Sequence, residues 1–144
     1  GGAEAAPSQM VVVPMANGGK VRLQLDRAQG GGSAFSVASA EIPLGLSIIQ
    51  REDDDVFVVE EVLSGGSVSR GEADVQEGDV VHAVSTESQG EKGLVETKSL
   101  KDTDELTQAI LGNNDGMVSL VIERAAGIGG GDQLGFLTNV ARML

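Results

Sequence analysis

The sequence contains no cysteine, tryptophan or tyrosine, and phenylalanine occurs only three times. Without cysteine there is no disulfide framework, no zinc–sulfur site and no thiolate chemistry. With so few aromatic residues, the core must be built from aliphatic side chains. No apolar run approaches the roughly 18–20 residues that a membrane-spanning helix requires. We therefore expect no membrane span, and nothing in the sequence indicates a cofactor or a metal site.

Positive charge is also scarce. Ten Lys and Arg residues face 22 Asp and Glu residues, and the formal net charge is −12. A balance this acidic disfavours nucleic acids and anionic membrane surfaces as partners.

The sequence offers no catalytic group. His82 is the only histidine, and without cysteine it cannot form a metal cluster or a Cys–His pair. We interpret it as structural. The run 53–55 of three Asp lacks the alternating spacing of a calcium loop and is interpreted as a solvated turn. No serine stands on a nucleophile elbow, so we expect a protein that is not an enzyme.

The length of 144 residues fits one domain with flanking segments. We divide the chain into an N-terminal extended arm (1–19), a domain (20–124), a Gly-rich linker (125–132) and a C-terminal amphipathic helix or arm (133–144). The apolar run 10–13 within the first arm either adds as an edge strand or docks on a neighbour.

Hydrophobic periodicity predicts strands separated by turns. Residues 20–25 alternate strictly between polar and apolar, which is typical of a half-buried strand. Further strands are expected at 46–50, 56–59, 80–84, 94–100 and 118–122. The segments 29–40 and 85–93 are expected to be loops, and 67–70 a short helical turn.

One longer helix is predicted between Asp102 and Gly112. Asp102 and Glu105 stand three residues apart, as in a capping box. Leu106, Ala109 and Ile110 follow at the spacing of a helix with one apolar face.

The turn Pro43-Leu44-Gly45-Leu46 leads into the strand Ser47-Ile48-Ile49. Glycine serves where a backbone turns tightly or where a ligand comes close. Successive N–H groups in such a turn form a concave nest that captures an anion, such as a C-terminal carboxylate.

Four segments in the same order resemble the PDZ domain family over residues 20–124. They are the turn 43–46, the stretch 62–71, the Gly-Asp strand entry at 77–81, and the helix and strand at 105–122. The resemblance implies an α+β, mainly β fold. It would be a partly open, five- to six-stranded antiparallel barrel or sandwich, capped by two helices, with extended N- and C-terminal arms.

The resemblance also implies a non-catalytic protein–protein interaction module. A peptide would add to the free edge of the strand 46–50, beside the helix that begins near Asp102, and its carboxylate would meet the N–H groups of the turn. The implied peptide-binding residues are Leu44, Gly45, Leu46, Ser47, Ile48, Leu106, Ala109 and Ile110.

Two departures from the family keep alternatives open. The common histidine at the start of the second helix is replaced by Asp102 or Thr103, and Glu41 precedes the turn where a basic residue is usual. The domain could therefore bind an internal segment or serve only as a packing block, and the predicted loop 29–40 is long enough to cover the groove. Two further alternatives are an accessory structural subunit of an organelle complex, for example at a chloroplast membrane, and a PDZ fragment of a protease.

The C-terminal segment carries apolar residues at helical spacing. It is expected to fold back on the domain or to dock on a partner subunit of a larger complex. A further hypothesis places Met143 and Leu144 in a groove, in cis or in a neighbour. The chain begins with Gly1 rather than Met, so it is either an excised part of a longer protein or a processed product, for which removal of a targeting peptide is one explanation. The expected docking residues are Leu134, Phe136, Leu137, Val140 and Leu144.

Overall fold

A computed structural model describes residues 8–15 and 18–126. These residues form eight strands, one α-helix and one 3-10 turn at Thr97–Ser99. The elements are β1 (Ser8–Pro14), β2 (Lys20–Asp26), β3 (Ala34–Glu41), β4 (Leu46–Gln50), β5 (Phe57–Val62), β6 (Val80–Ser88), β7 (Glu91–Glu96), α1 (Thr103–Leu111) and β8 (Met117–Arg124).

All strand pairs are antiparallel, and they form two sheets. The larger sheet has six strands in the order β3-β8-β6-β5-β4, with β7 paired to β6. β3 and β4 lie at opposite ends of this order and do not pair with each other, so within the described ranges the sheet is not a closed barrel. β1 and β2 form a separate two-stranded hairpin. The expected mainly β, antiparallel architecture is confirmed.

Both faces of the large sheet are buried. Alternate residues of its central strands point to opposite sides, and they belong to two separate hydrophobic clusters. On one face, Leu120 and Ile122 of β8 join a core that includes Leu106 of α1. On the other face, Val121 packs with Val11 and Val13 of the β1–β2 hairpin. Burial on both sides explains why the first half of β6 and the centre of β8 are mostly apolar. The helix therefore covers one side of the sheet and the hairpin covers the other.

The prediction of a loop at 29–40 is wrong for its second half, because residues from Ala34 onward form β3, which runs antiparallel to β8. Small residues obscure the alternation: Ala38 and Ala40 face the helix-side core, while Phe35 and Val37 face the hairpin. β3 lies at the end of the sheet opposite β4, so it does not cover the β4 edge. The predicted strand at 20–25 exists as β2, but it pairs with β1 instead of joining the large sheet.

The expected loop at 85–93 is also wrong. β6 continues to Ser88 and returns as β7, with Gln89 and Gly90 in left-handed conformations at the turn. The polar composition of this hairpin reflects partial solvent exposure rather than loss of strand structure.

The short helical turn expected at 67–70 is present, but it does not extend into the second of the two expected capping helices. Residues 67–70 form hydrogen-bonded turns, in which the Arg70 N–H donates to the Gly66 carbonyl at 3.2 Å. In the described part of the chain α1 is therefore the single α-helix. No helix there is long and apolar enough to cross a membrane.

Part of the expected N-terminal arm is described and forms β1, which pairs along its whole length with β2. The expected C-terminal arm at 133–144, with its docking residues and the hypothesis on Met143 and Leu144, lies outside the described residues.

A groove between β4 and α1

A groove of about 410 Å³ lies between β4, the preceding turn and α1. It contains no charged side chain in its lining. The lining residues are Ile42, Pro43, Leu44, Gly45, Leu46, Ile48, Leu63, Thr103, Leu106, Thr107, Ile110 and Leu111.

The helical wall of the groove is fixed by its N-cap. The Asp102 carboxylate accepts a hydrogen bond from the Glu105 N–H at 3.0 Å. The Glu105 carboxylate in turn accepts from the Lys101 N–H at 2.7 Å, which is one residue earlier than in a standard capping box. Leu106 is 2% exposed and packs the helix against the core. Thr103 and Ile110, about one turn to either side, line the groove together with it.

The turn before β4 depends on two glycines in close approach. Gly45 has a φ of +72°, which side-chain-bearing residues adopt at a cost. A Cβ on Gly45 would lie 2.8 Å from the Gly66 Cα, and a Cβ on Gly66 would collide with the Leu44 carbonyl oxygen. The backbone of 64–67 therefore packs directly behind the turn.

The carbonyl groups of the turn are bonded to that backbone, whereas its N–H groups are not. The carbonyls of Pro43, Leu44 and Gly45 accept from the N–H groups of Ser67, Val68 and Leu63 at 3.1, 3.2 and 2.7 Å.

Within residues 8–15 and 18–126, no acceptor is found for the N–H groups of Leu44 and Gly45. Successive unpaired N–H groups of this kind can serve as an anion-binding nest, and we refer to the Leu44 and Gly45 N–H groups as the nest.

The outer edge of β4 is open. In the described part of the chain, β4 pairs only with β5. The Leu63 N–H donates to the Gly45 carbonyl, and the Arg51 N–H donates to the Val56 carbonyl at 2.8 Å. Hydrogen-bonded and non-bonded pairs alternate in antiparallel strands, and a bulge lies between Ser47 and Ile48.

From this alternation, the backbone groups of Leu46, Ile48 and Gln50 point away from β5. They present a row of donors and acceptors about 7 Å apart along the groove.

The charges near the nest partly cancel. Arg70 lies in the turn behind Gly45, where its guanidinium donates to the Gly65 carbonyl at 3.1 Å. It also pairs with Glu72 at 2.9 Å and lies 3.9 Å from Glu41. The hydrogen bond from Arg70 holds the pKa of the Glu72 carboxyl below its ordinary value. The sequence interpretation missed this cation, which is distant along the chain from the turn.

The structure brings most of the expected peptide-binding residues to the groove. Leu44, Gly45, Leu46, Ile48, Leu106 and Ile110 line it. Two others face elsewhere: the Ser47 hydroxyl donates to Glu60 at 2.8 Å, and Ala109 packs against the helix-side core.

The sequence interpretation left out several lining residues, notably Leu63, Thr107 and Leu111. Leu63 and Leu111 are 41% and 57% exposed, which is unusual for leucine and marks the rim of the groove. Thr103, Thr107 and Leu111 follow the four-residue spacing of one helix face. That spacing was the signal that could have found them.

A larger cavity, of about 660 Å³, lies beside the end of β2, the β4–β5 turn and β6. Its polar groups are mostly engaged within the protein: Arg27 donates to Ser33, Asp54 accepts from Arg51, and His82 lies against Glu123. Arg27, Asp54 and His82 therefore offer few free hydrogen-bonding positions to a ligand.

No model of a known protein family matches the chain, and no curated protein matches it in sequence. Among the described residues, no group of three or more His, Cys, Asp or Glu side chains is placed to hold a metal ion. The candidate site is therefore assigned from the geometry of the groove alone.

Proposed function

We propose that this protein is a non-catalytic, PDZ-like interaction module. It binds a protein segment with a free C-terminus by adding that segment as a strand to the outer edge of β4. The observation that carries the proposal is the open β4 edge beside an apolar groove that ends at two unpaired N–H groups, those of Leu44 and Gly45.

Each part of such a ligand has a counterpart in the groove. Its backbone would bond to the outward groups of Leu46, Ile48 and Gln50, as in strand addition. Its terminal carboxylate would accept from the nest. Its last side chain would enter the space between Leu46 and Ile110, where an aliphatic group is favoured because the lining is apolar.

Asp102 or Thr103 stands where the resemblance suggests a histidine, and the helix wall of the groove carries Thr103 and Thr107. The Thr107 hydroxyl already donates to the Thr103 carbonyl at 2.9 Å. A ligand hydroxyl at the third position from its end is therefore not required. The proposal concerns peptide termini with an aliphatic last residue, whatever stands two residues earlier.

The proposal is tested with a library of peptides that end in a free carboxylate, and with amidated copies of the peptides retained. Hydrogen bonds to a charged group contribute about 1.5–3 kcal/mol each, so amidation is expected to weaken binding by roughly ten- to a hundredfold. Equal binding of amidated copies would contradict the role of the nest. Failure of the folded protein to enrich any peptide would overturn the proposal.

A pair of variants controls for the position of binding. Leu111→Glu places a carboxylate at the exposed rim of the groove and is expected to abolish binding while the protein stays folded. Met10→Glu makes the same change on β1, where Met10 is 51% exposed, and is expected to leave binding intact.

A further inference from the structure

The turn that follows β4, at the end of the strand farthest from Gly45, carries carboxylates without ion-pair partners among the described residues. The turn between β4 and β5 contains Glu52, Asp53 and Asp55, all exposed. None of them has an ion-pair partner in the described ranges. Asp54, in contrast, is held by Arg51 at 2.7 Å. The turn therefore presents negative charge to solvent that the protein leaves uncompensated.

The first turn of α1 adds to this charge across the groove. Asp104 is exposed, and the carboxylates of Asp102 and Glu105 are bonded to backbone N–H groups. Such bonds leave the negative charge in place. Lys101 is the neighbouring cation, and its carbonyl accepts from the Gln50 side chain at 3.3 Å. Carboxylates outnumber it on both sides of this end of the groove.

The direction of a bound segment follows from the position of the nest. The nest stands at the start of β4, so a segment that ends there and runs along β4 must be antiparallel to it. The five residues of β4 span about 17 Å. The last four or so residues of the ligand thus occupy the groove, and the residues before them pass Gln50 and reach the acidic turn.

We propose that the partner of this groove is a basic protein segment. It carries Lys or Arg about four to seven residues before an aliphatic C-terminal residue. The inference rests on the proposed function and adds the charge of the ligand to it. Opposite charges across an interface steer encounter and select partners, and the unpaired turn carboxylates supply that field where the ligand leaves the groove.

The groups at the two ends of β4 support this assignment. Arg70, in the turn behind Gly45, is already paired with Glu72 and lies 3.9 Å from Glu41, whereas Glu52 and Asp53 in the turn after β4 have no ion-pair partner among the described residues. A segment with a negative end and positive upstream residues matches both ends. An acidic segment would match neither the turn nor the net charge of −12.

The test compares three peptides with the same last four residues and with Lys/Arg, neutral or Asp/Glu residues upstream. The protein used is the full chain, either wild type or Glu52→Gln/Asp53→Asn. A matched control is Glu87→Gln/Glu91→Gln on β6 and β7. The Asn114 N–H donates to the Glu87 carboxylate at 2.8 Å, and the amide oxygen introduced by Glu87→Gln can still accept that bond. Asp55 is left unchanged because it adopts a φ of +60°.

The wild type is expected to bind the basic peptide about tenfold more tightly than the neutral one. This advantage should fall roughly threefold or more in the turn variant and stay constant in the control. Raising the salt from about 50 to 500 mM should also reduce it, since exposed charges are screened. Equal binding of the three peptides would overturn the inference and leave the proposed function standing. Binding of none would refute the proposed function itself.

Discussion

His82 and Glu123 meet on neighbouring strands, with His82 Nε2 2.7 Å from Glu123 Oε1. Glu123 has no solvent exposure. It also accepts from the N–H groups of Ala28 and Gln29, at 2.8 and 2.9 Å, and from the Ser33 hydroxyl at 2.6 Å. One carboxylate thus ties the connection between β2 and β3 to the large sheet. The interpretation of His82 as structural agrees with this arrangement.

The first prediction concerns Glu123→Gln. An amide would turn an NH₂ group toward donors that now meet a carboxylate oxygen, which leaves buried groups unsatisfied. We expect a loss of about 2–4 kcal/mol in the free energy of unfolding, measured by urea denaturation. Glu91→Gln, at an exposed position, is the control and should change stability by less than about 0.5 kcal/mol.

The second prediction is a pH dependence with the same origin. Burial of Glu123 raises its pKa, but the hydrogen bonds from Ser33, Ala28, His82 and Gln29 outweigh burial and hold the pKa below its ordinary value. A carboxyl with a depressed pKa stabilises the fold above its unfolded pKa of about 4.3. That contribution is lost as the pH falls from this value through the lower folded one.

Unfolding free energies of the wild type and Glu123→Gln, measured between about pH 7 and 3, should therefore converge as the pH falls. A constant difference across this range would contradict the assignment. Other carboxyls with lowered pKa values, such as Asp74 and Asp115, are present in both proteins and cancel in the comparison.

The third prediction separates backbone strain from steric collision. Gly45 and Gly65 both have positive φ, but a Cβ on Gly65 would meet nothing within 4 Å. Gly65→Ala should therefore show only the cost of its backbone conformation, about 1 kcal/mol. Gly45→Ala adds the contact with the Gly66 backbone and should cost roughly 2 kcal/mol more. Thermal unfolding measures both, and equal losses would show that the turn relaxes around the added methyl group.

The fourth prediction concerns the wall of the groove. Asp102→Ala removes the N-cap of α1 and should cost about 1 kcal/mol. Asp104→Ala changes the same charge two residues later without removing a cap, and should cost less. Unfolding curves of the two variants give the comparison. A larger loss in Asp104→Ala would show that the charge of the first turn, not the cap, stabilises the helix.

Secondary structure could be predicted from the sequence where hydrophobic periodicity was strong. β4, β8 and α1 follow from apolar spacing and from the Asp102 cap. β4 and α1 supply most of the residues that line the groove, so much of the candidate site could be predicted.

β3 could not be predicted in the same way, because alanine and serine alternate there with little contrast in hydropathy. The β6–β7 hairpin was not predicted for a related reason: its residues 85–93 are mostly polar and show little contrast in hydropathy. Strand partners are set by the whole fold, so the pairing of β2 with β1 and the approach of Arg70 to Glu41 were not readable from local pattern.

The hairpin of β1 and β2 has a practical consequence for where the protein can be cut. A fragment that starts at residue 20, as the sequence-based domain boundary would suggest, loses the strand that brings Val11 and Val13 onto Val121. Such a fragment would expose the apolar face of the sheet that the hairpin covers, and it would leave β2 unpaired. Both features promote aggregation. Studies of the groove should keep at least residues 8–126, so that the hairpin side of the sheet remains shielded from solvent while the groove on the helix side is examined.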